Sequence, residues 1–491
     1  MANHSLHAGA SLKEFLDIPA SAWKWLAPMA LIAGILLAWL VYPLGLHCDD
    51  YWEALVARQI SWLELLTFQG APIPIHLGIW KLALPFSEGP PSGILRAVSV
   101  FVHVANSILV YSALRDLFSR QTRVAAAFAF LAYRCGNTVL FWAPTLKDSL
   151  MTLFVLLAVI LWRRGMEHPR CRLWASLPAA AAMMCKPTAI VLAPLLLLHQ
   201  LWMEDRDSWT LRLQKAAGGL LLVSSVLGAL LANALLNPGI YSDHSAGVTM
   251  PAVESVPLYL LGHFNNYAAW SLLPVIPDLG ILSHAWISVA GTLLFFGAAA
   301  GFFWFDRKVK WGIAWYTAFV LLPLYANGGS PAPHYSYAAA FGLLLAIFRS
   351  GQILLAHIPQ MQPVVLAAGL IWLTATTFHW PSDLRHFRVA GKVGLDTRHQ
   401  LILHQNELLD AGSYYLTGAK LPLPPLLVAE TRMIEFDLGQ TLQTRRPPNG
   451  ECPHENAYPC ISMISKISDA YACADTPPGG CITYVSARRS P

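Results

Sequence analysis

"WLAPMALIAGILLAWLVYPLGL", Trp25–Leu46, runs directly into "HCDDYW", His47–Trp52. The first stretch has no charged residue and is long enough to cross a bilayer, which needs about 17–25 apolar residues as a helix. The second sets two adjacent carboxylates, Asp49 and Asp50, at the mouth of that span. They repel each other, and neither is stable in lipid. The first stretch decides the fold class; the second marks where chemistry is to be sought.

The rest of the chain follows the first stretch. Of 491 residues, 55% are hydrophobic and only 12% charged, against about 25% charged in a soluble domain. A mean hydropathy of +0.47 points to an integral membrane protein. The net charge of +5 is spread over short loops, which fits topology signalling and excludes a nucleic-acid partner. The first run exceeds a signal-peptide core and lacks a small-residue cleavage site, so it is expected to stay as an anchor.

Apolar runs predict about eleven spans: Trp25–Leu46, Ala97–Leu114, Val124–Trp142, Ser149–Trp162, Leu173–Cys185, Thr188–Trp202, Ala216–Leu236, Ala285–Phe305, Trp311–Ala326, Tyr335–Phe348 and Val364–Phe378. Leu173–Cys185 is short for a span. The predicted class is an all-α polytopic membrane protein. Residues 1–380 form its transmembrane part, with a long first loop over 47–95 in which "SWLELLTF", Ser61–Phe68, reads as amphipathic.

Lys and Arg mark the cytoplasmic side. One set of loops holds Arg115, Arg120, Arg123, Arg163, Arg164, Arg170, Arg172, Arg206, Arg212, Lys215, Arg307, Lys308 and Lys310. The alternate loops hold few cations: Arg58, Lys81, Lys147 and Lys186. Asp49, Asp50, Lys147, Lys186, His263 and His334 are therefore expected to face outward. An odd number of spans puts residues 381–491 outside too, as a small α+β extracytoplasmic C-terminal domain. Leu401–Leu409 reads there as helix, and Leu421–Ala429 and Cys481–Ala487 as strands. Four of the eight cysteines, Cys452, Cys460, Cys473 and Cys481, crowd into this tail. Disulfides persist outside the cytosol, so two bridges are expected, with three pairings open.

Ionisable groups at membrane depth are functional candidates. Arg134 lies inside the third predicted span, where it faces either the bundle or a structural partner. Asp148 caps the helix that Lys147 begins, or acts in chemistry, or both. Lys186, His263, His334 and Tyr335 gather on the same side; Tyr337 reads as an interfacial anchor. Cations there suit a phosphate-bearing substrate, and a carboxylate suits removal of a hydroxyl proton. The Asp49–Asp50 pair could instead hold a divalent cation, Mg or Mn, through oxygen ligands.

These residues carry a resemblance. The chain resembles the polytopic GT-C glycosyltransferases that use polyprenyl- or dolichyl-phosphate sugars, most closely the transmembrane and tetratricopeptide-repeat O-mannosyltransferases and their bacterial relatives. Asp49 and Asp50 match the acidic pair after the first span of that family. "LRAVSVFVHVANSILVYSAL", Leu95–Leu114, is similar to its second span through His103 and Asn106. Trp142, Lys147 and Asp148 keep the spacing of its W-I-S-G-R-K-D junction; Lys186 matches its L-S-K-E junction, and "HYSYAAAFGLLL", His334–Leu345, its R-Y-L-Y-L-P-S-I-G-F segment. The chain departs at Leu146 (Arg in the family), Gly136 and Thr138 (His and Glu), Pro187 (Glu) and His334 (Arg), and has no tetratricopeptide repeats. The resemblance implies transfer of a sugar from a polyprenyl-phosphate donor to a hydroxyl of a protein or glycolipid acceptor. The site would lie on the periplasmic side of a bacterial inner membrane. It implies Asp49 or Asp50 as the catalytic base, with Lys147, Asp148, Lys186, His263, His334, Tyr335 and Arg134 toward donor phosphate and sugar. A glycan polymerase or ligase is the competing enzyme, and a transporter the competing class; transporters favour midplane sites and internal repeats, neither visible here.

Overall fold

The computed structural model describes residues 18–42, 44, 49–68, 73–86, 92–203, 208–236, 300, 306–326, 333–378, 380–417, 443–445, 458–462 and 483–485. His263, Cys452, Cys473, Cys481, the span expected at Ala285–Phe305 and the strand expected at Leu421–Ala429 lie outside the described residues.

The opening run forms α1, Ala20–Val41. Its Leu31, Ile35, Leu36 and Trp39 are each more than half exposed, an apolar face suited to hydrocarbon. The acidic pair starts α2, Asp49–Gln59. The short α3, Trp62–Leu66, starts on a capping box: Ser61 Oγ accepts from the Glu64 amide at 3.1 Å, and Glu64 Oε2 accepts from the Ser61 amide at 2.7 Å. Two backbone donors that a helix start leaves open are thereby satisfied. Pro74 opens α4, Pro74–Ala83, where a missing N–H costs nothing.

The body follows with α5, Ser92–Ala113; α6, Arg120–Ala132; α7, Arg134–Phe141; α8, Leu146–Arg164; α9, Arg170–Trp174; α10, Ser176–Cys185; α11, Leu192–Met203; and α12, Trp209–Leu236. Then come α13, Arg307–Ala326; α14, Ala339–His357; α15, Gln362–Phe378; α16, Trp380–Leu403; and α17, Gln405–Ala411. Among the described residues, five helices are long and apolar enough to cross a membrane. They are Ser21–Val41, Ser92–Ala113, Ala143–Arg164, Trp209–Leu236 and Ala339–His357. The third span expected from sequence is instead a pair, α6 and α7, bent by 49°, which makes six crossings if the pair is one. Among the other expected spans, α10 and α15 are shorter helices of 10 and 17 residues.

The bend has a cause. His103 of α5 places Nε2 3.0 Å from the carbonyl of Leu131, just before the break. Inserting a side chain into the helical ladder is a standard origin of a kink. Gly136 makes room: a Cβ there would lie 2.7 Å from His103 Cε1. A second close approach joins α13 to α14, where a Cβ on Gly312 would lie 2.6 Å from the Gly342 carbonyl. Small residues let membrane helices meet backbone to backbone in this way.

Beyond the last apolar helix, α16 packs on α7 through Phe141, Trp380 and Phe387, with ring centroids 5.9 and 5.6 Å apart. The strands are β1, Ser413–Thr417; β2, Gln443–Arg445; β3, Cys460–Ser462; and β4, Thr483–Val485, in sheet order β2-β1-β3-β4. β1 runs parallel to β2 and β3, and β4 antiparallel to β3. Cys460, the one described member of the cysteine group, is disulfide-bonded.

Candidate active site

The acidic pair opens α2, Asp49 as its first residue. Asp50 is fully buried and interacts electrostatically with Arg96 of α5. The Arg96 guanidinium, itself buried, also donates to the carbonyl of Leu140 at 3.2 Å. Three residues along α2, on the face Asp50 occupies, stands Glu53, 1% exposed. Glu53 Oε1 accepts from Lys147 Nζ at 3.0 Å, and its Oε2 lies 3.6 Å from His76 Nε2 on α4. One short helix thus presents carboxylates to a guanidinium, an ammonium and an imidazole.

A second pair lies beside the first. Lys186, in the link between α10 and the turn Pro187–Val191, donates to Asp148 Oδ1 at 2.6 Å. Its Nζ also sits 4.4 Å from the centroid of the Tyr335 ring, a cation–π contact. His334 stacks edge-on to Tyr335 at 4.2 Å and to Trp142 at 5.4 Å. Burial holds the Lys186 ammonium below its ordinary range, partly offset by Asp148. Burial pushes His334 well below an ordinary histidine, and the charges of Lys186 and Lys147 push it the same way. His76 is lowered by burial against the opposing pull of Glu53. The two histidines are therefore neutral near pH 7, between lysines and carboxylates arranged as pairs.

The segment carrying His334 and Tyr335 is tied down from behind. Tyr337 is buried, not an interfacial anchor as expected. His103 Nε2 faces a carbonyl and so carries the proton. Its Nδ1 then accepts from the Tyr337 hydroxyl at 2.7 Å. Asn106 donates to the same hydroxyl at 3.2 Å and to the Ser149 carbonyl at 2.9 Å. These bonds link α5, the start of α8 and the segment before α14.

Lys147, Asp148, Lys186, His334 and Tyr335, expected together from sequence, do come together. Arg134 is placed elsewhere, 3.7 Å from Asp383 of α16, with Asn137 donating to the same carboxylate at 3.1 Å. Glu53, His76 and Arg96 were not singled out from the sequence. The signal for Glu53 was its spacing of three from Asp50. Among the described residues, no group of three or more His, Cys, Asp and Glu side chains is arranged to hold a metal ion. A small apolar pocket is lined by Phe68, Pro74, Met183, Met184, Leu230 and Asn233, two residues short of His76 on one wall and of Lys186 on another.

Four members of this constellation, Arg96, Lys147, Asp148 and Lys186, fall inside one stretch with a known signature. Residues 88–230 match the dolichyl-phosphate-mannose-protein mannosyltransferase family. The resemblance carried by the motifs agrees with that match over this stretch. No curated protein sequence matches the chain significantly. Among solved structures, the chain is similar to an archaeal oligosaccharyltransferase and to ArnT. The Archaeoglobus fulgidus oligosaccharyltransferase in complex with Zn and sulfate is 11% identical, with 94% of this chain and 73% of that one covered, at a TM-score of 0.48. Its apo form is 12% identical at a TM-score of 0.43; the alignment takes in 75% of this chain but only 58% of that one. ArnT from Cupriavidus metallidurans, bound to undecaprenyl phosphate, is 14% identical, with 93% and 95% covered, at a TM-score of 0.44.

Proposed function

We propose that this chain transfers a sugar from a polyprenyl-phosphate donor to a hydroxyl of a protein or glycolipid acceptor, at the outer face of the membrane. The observation that carries the proposal is the pairing of Lys147 with Glu53 of α2 and of Lys186 with Asp148 and the Tyr335 ring, both lysines lying within the family-matched stretch. Two ammoniums already paired with carboxylates can turn part of their coordination to a phosphate without being left bare when it departs. Charge-assisted contacts to phosphate are the stronger kind. In this reading Lys147 and Lys186 hold the donor phosphate and neutralise it as the leaving group. Neutral His334 offers a hydrogen bond, and Tyr335 packs beside it.

The acceptor must lose its proton as the glycosidic bond forms, which asks for a carboxylate within hydrogen-bond reach. In this reading Asp50, buried and facing the charge of Arg96, positions the acceptor, and Asp49 takes its proton. The tail beyond Pro381 stands on the same side and selects the acceptor. Residues 381–491 are read as that extracytoplasmic domain, with Arg134 joining it to the body through Asp383.

The test is transfer in vitro by purified protein from candidate polyprenyl-phosphate sugars, with Asp49→Asn and Asp50→Asn beside wild type. General-base loss is expected to slow turnover about 10²–10⁴-fold in Asp49→Asn. Full activity in both variants would refute the assignment. Solute flux without transfer would favour a transporter.

A further inference from the structure

We propose a second site, for the phosphate of an anionic phospholipid, at the end of the bundle away from the acidic helix. It does not rest on the transfer reaction. Two helices run from one site to the other. α5 starts near Arg96 and ends at Ala113; α8 starts near Lys147 and ends at Arg164. At 1.5 Å per residue the separation is roughly 24–26 Å, close to the ~30 Å of a hydrocarbon core. The second site therefore sits at the opposite membrane boundary.

There a partly open surface pocket is lined by Ser112, Arg115, Asp116, Ile160, Arg163, Arg164 and Glu167. Its wall is built. The Arg163 guanidinium, 8% exposed, donates to the carbonyls of Ala113 and Arg115 and to Asp116 Oδ2 at 2.9 Å. It clamps the last turn of α8 to the turn after α5. Asp116 holds a left-handed backbone, φ +58°, a conformation Asp tolerates better than most residues. Lys308 of α13 shares the electrostatic environment of Arg163 and Asp116. Four basic groups thus outnumber two acidic ones around a pocket with an apolar flank at Ile160.

That chemistry suits a headgroup phosphate with its acyl chains continuing along the bundle. Basic pockets between membrane helices recognise anionic lipid headgroups by this means. Free phosphate shares the anionic group but gains nothing from the apolar flank or the position at the boundary.

Native mass spectrometry of the full chain, exchanged into micelles carrying phosphatidylglycerol or phosphatidylcholine, reads the site directly. Wild type is expected to retain phosphatidylglycerol preferentially. The pair Arg115→Gln and Arg164→Gln should weaken that retention roughly fivefold for each arginine removed, and the pair Arg115→Lys and Arg164→Lys should restore most of it. Arg115→Gln alone, whose side chain is 40% exposed and whose loss leaves the Arg163 clamp in place, gives the reading if the double variant fails to fold. Equal retention of both lipids by wild type, or undiminished phosphatidylglycerol on the glutamine variants, would overturn the proposal. Displacement of the lipid by millimolar inorganic phosphate would assign the pocket to free phosphate and overturn it as well.

Discussion

Asp148→Asn removes one charge from a buried pair and keeps its shape. Lys186 Nζ stands 2.6 Å from Asp148 Oδ1, with side chains 10% and 3% exposed. The ammonium then has two courses. It can stay charged without its counter-ion, which costs about 3–5 kcal/mol where one partner of a buried pair is lost. It can instead give up its proton; measured against an ordinary lysine in the unfolded chain, at about 10.5, that costs about 4.8 kcal/mol at pH 7. The two courses cost nearly the same, so neither offers an escape. The Tyr335 ring at 4.4 Å faces the ammonium before the substitution as well as after, so it offsets none of this. A loss of about 3–5 kcal/mol is expected. Equilibrium unfolding in detergent, run on Asp148→Asn, Lys186→Met and the double variant, measures it as a cycle. The double variant should recover most of the stability, because a buried pair replaced as a whole is close to neutral. It should still fail in sugar transfer, since the phosphate has lost a cation. A loss below about 1 kcal/mol in Asp148→Asn, with additive effects in the cycle, would refute the buried-pair reasoning.

Glu53→Gln should leave Lys147 charged but without its carboxylate, raising donor affinity and slowing turnover; donor-binding and single-turnover assays on one preparation separate the two. Burial lowers His334 and His76 in the folded state, so the unfolded chain binds more protons once the pH falls below about 6.5. Stability is then full above that pH and declines toward pH 5, and His334→Gln with His76→Gln should flatten the slope in a thermal series over that range. Gly342→Val puts a side chain against Trp315, whose Cβ lies 2.7 Å from the position of an added Cβ; overpacking of about 1–3 kcal/mol should lower the unfolding midpoint and leave donor affinity unchanged.

The cations of the site were legible because topology makes them rare. Lys147 and Lys186 stand in loops that a membrane protein keeps poor in Lys and Arg, so each was conspicuous alone. Glu53 was not, although its spacing from Asp50 puts both on one helix face. An acid on a short helix outside the membrane looks like ordinary surface until the lysine that faces it is located, and that lysine lies 94 residues away. The bend at Tyr133 was hidden for a related reason. No proline marks it, because its cause is a histidine from a neighbouring helix bonded to the Leu131 carbonyl. Gly136 leaves room for that histidine, since an added Cβ would lie 2.7 Å from His103 Cε1. Tyr337 was misplaced because an aromatic near a span end has the composition of a membrane anchor, and only the partners of its hydroxyl distinguish the two. What the sequence hid was in each case the second member of a pair. A site that must hold an anion part of the time is most stable when its cations are matched before the anion arrives, so a scan for cations alone finds half of it.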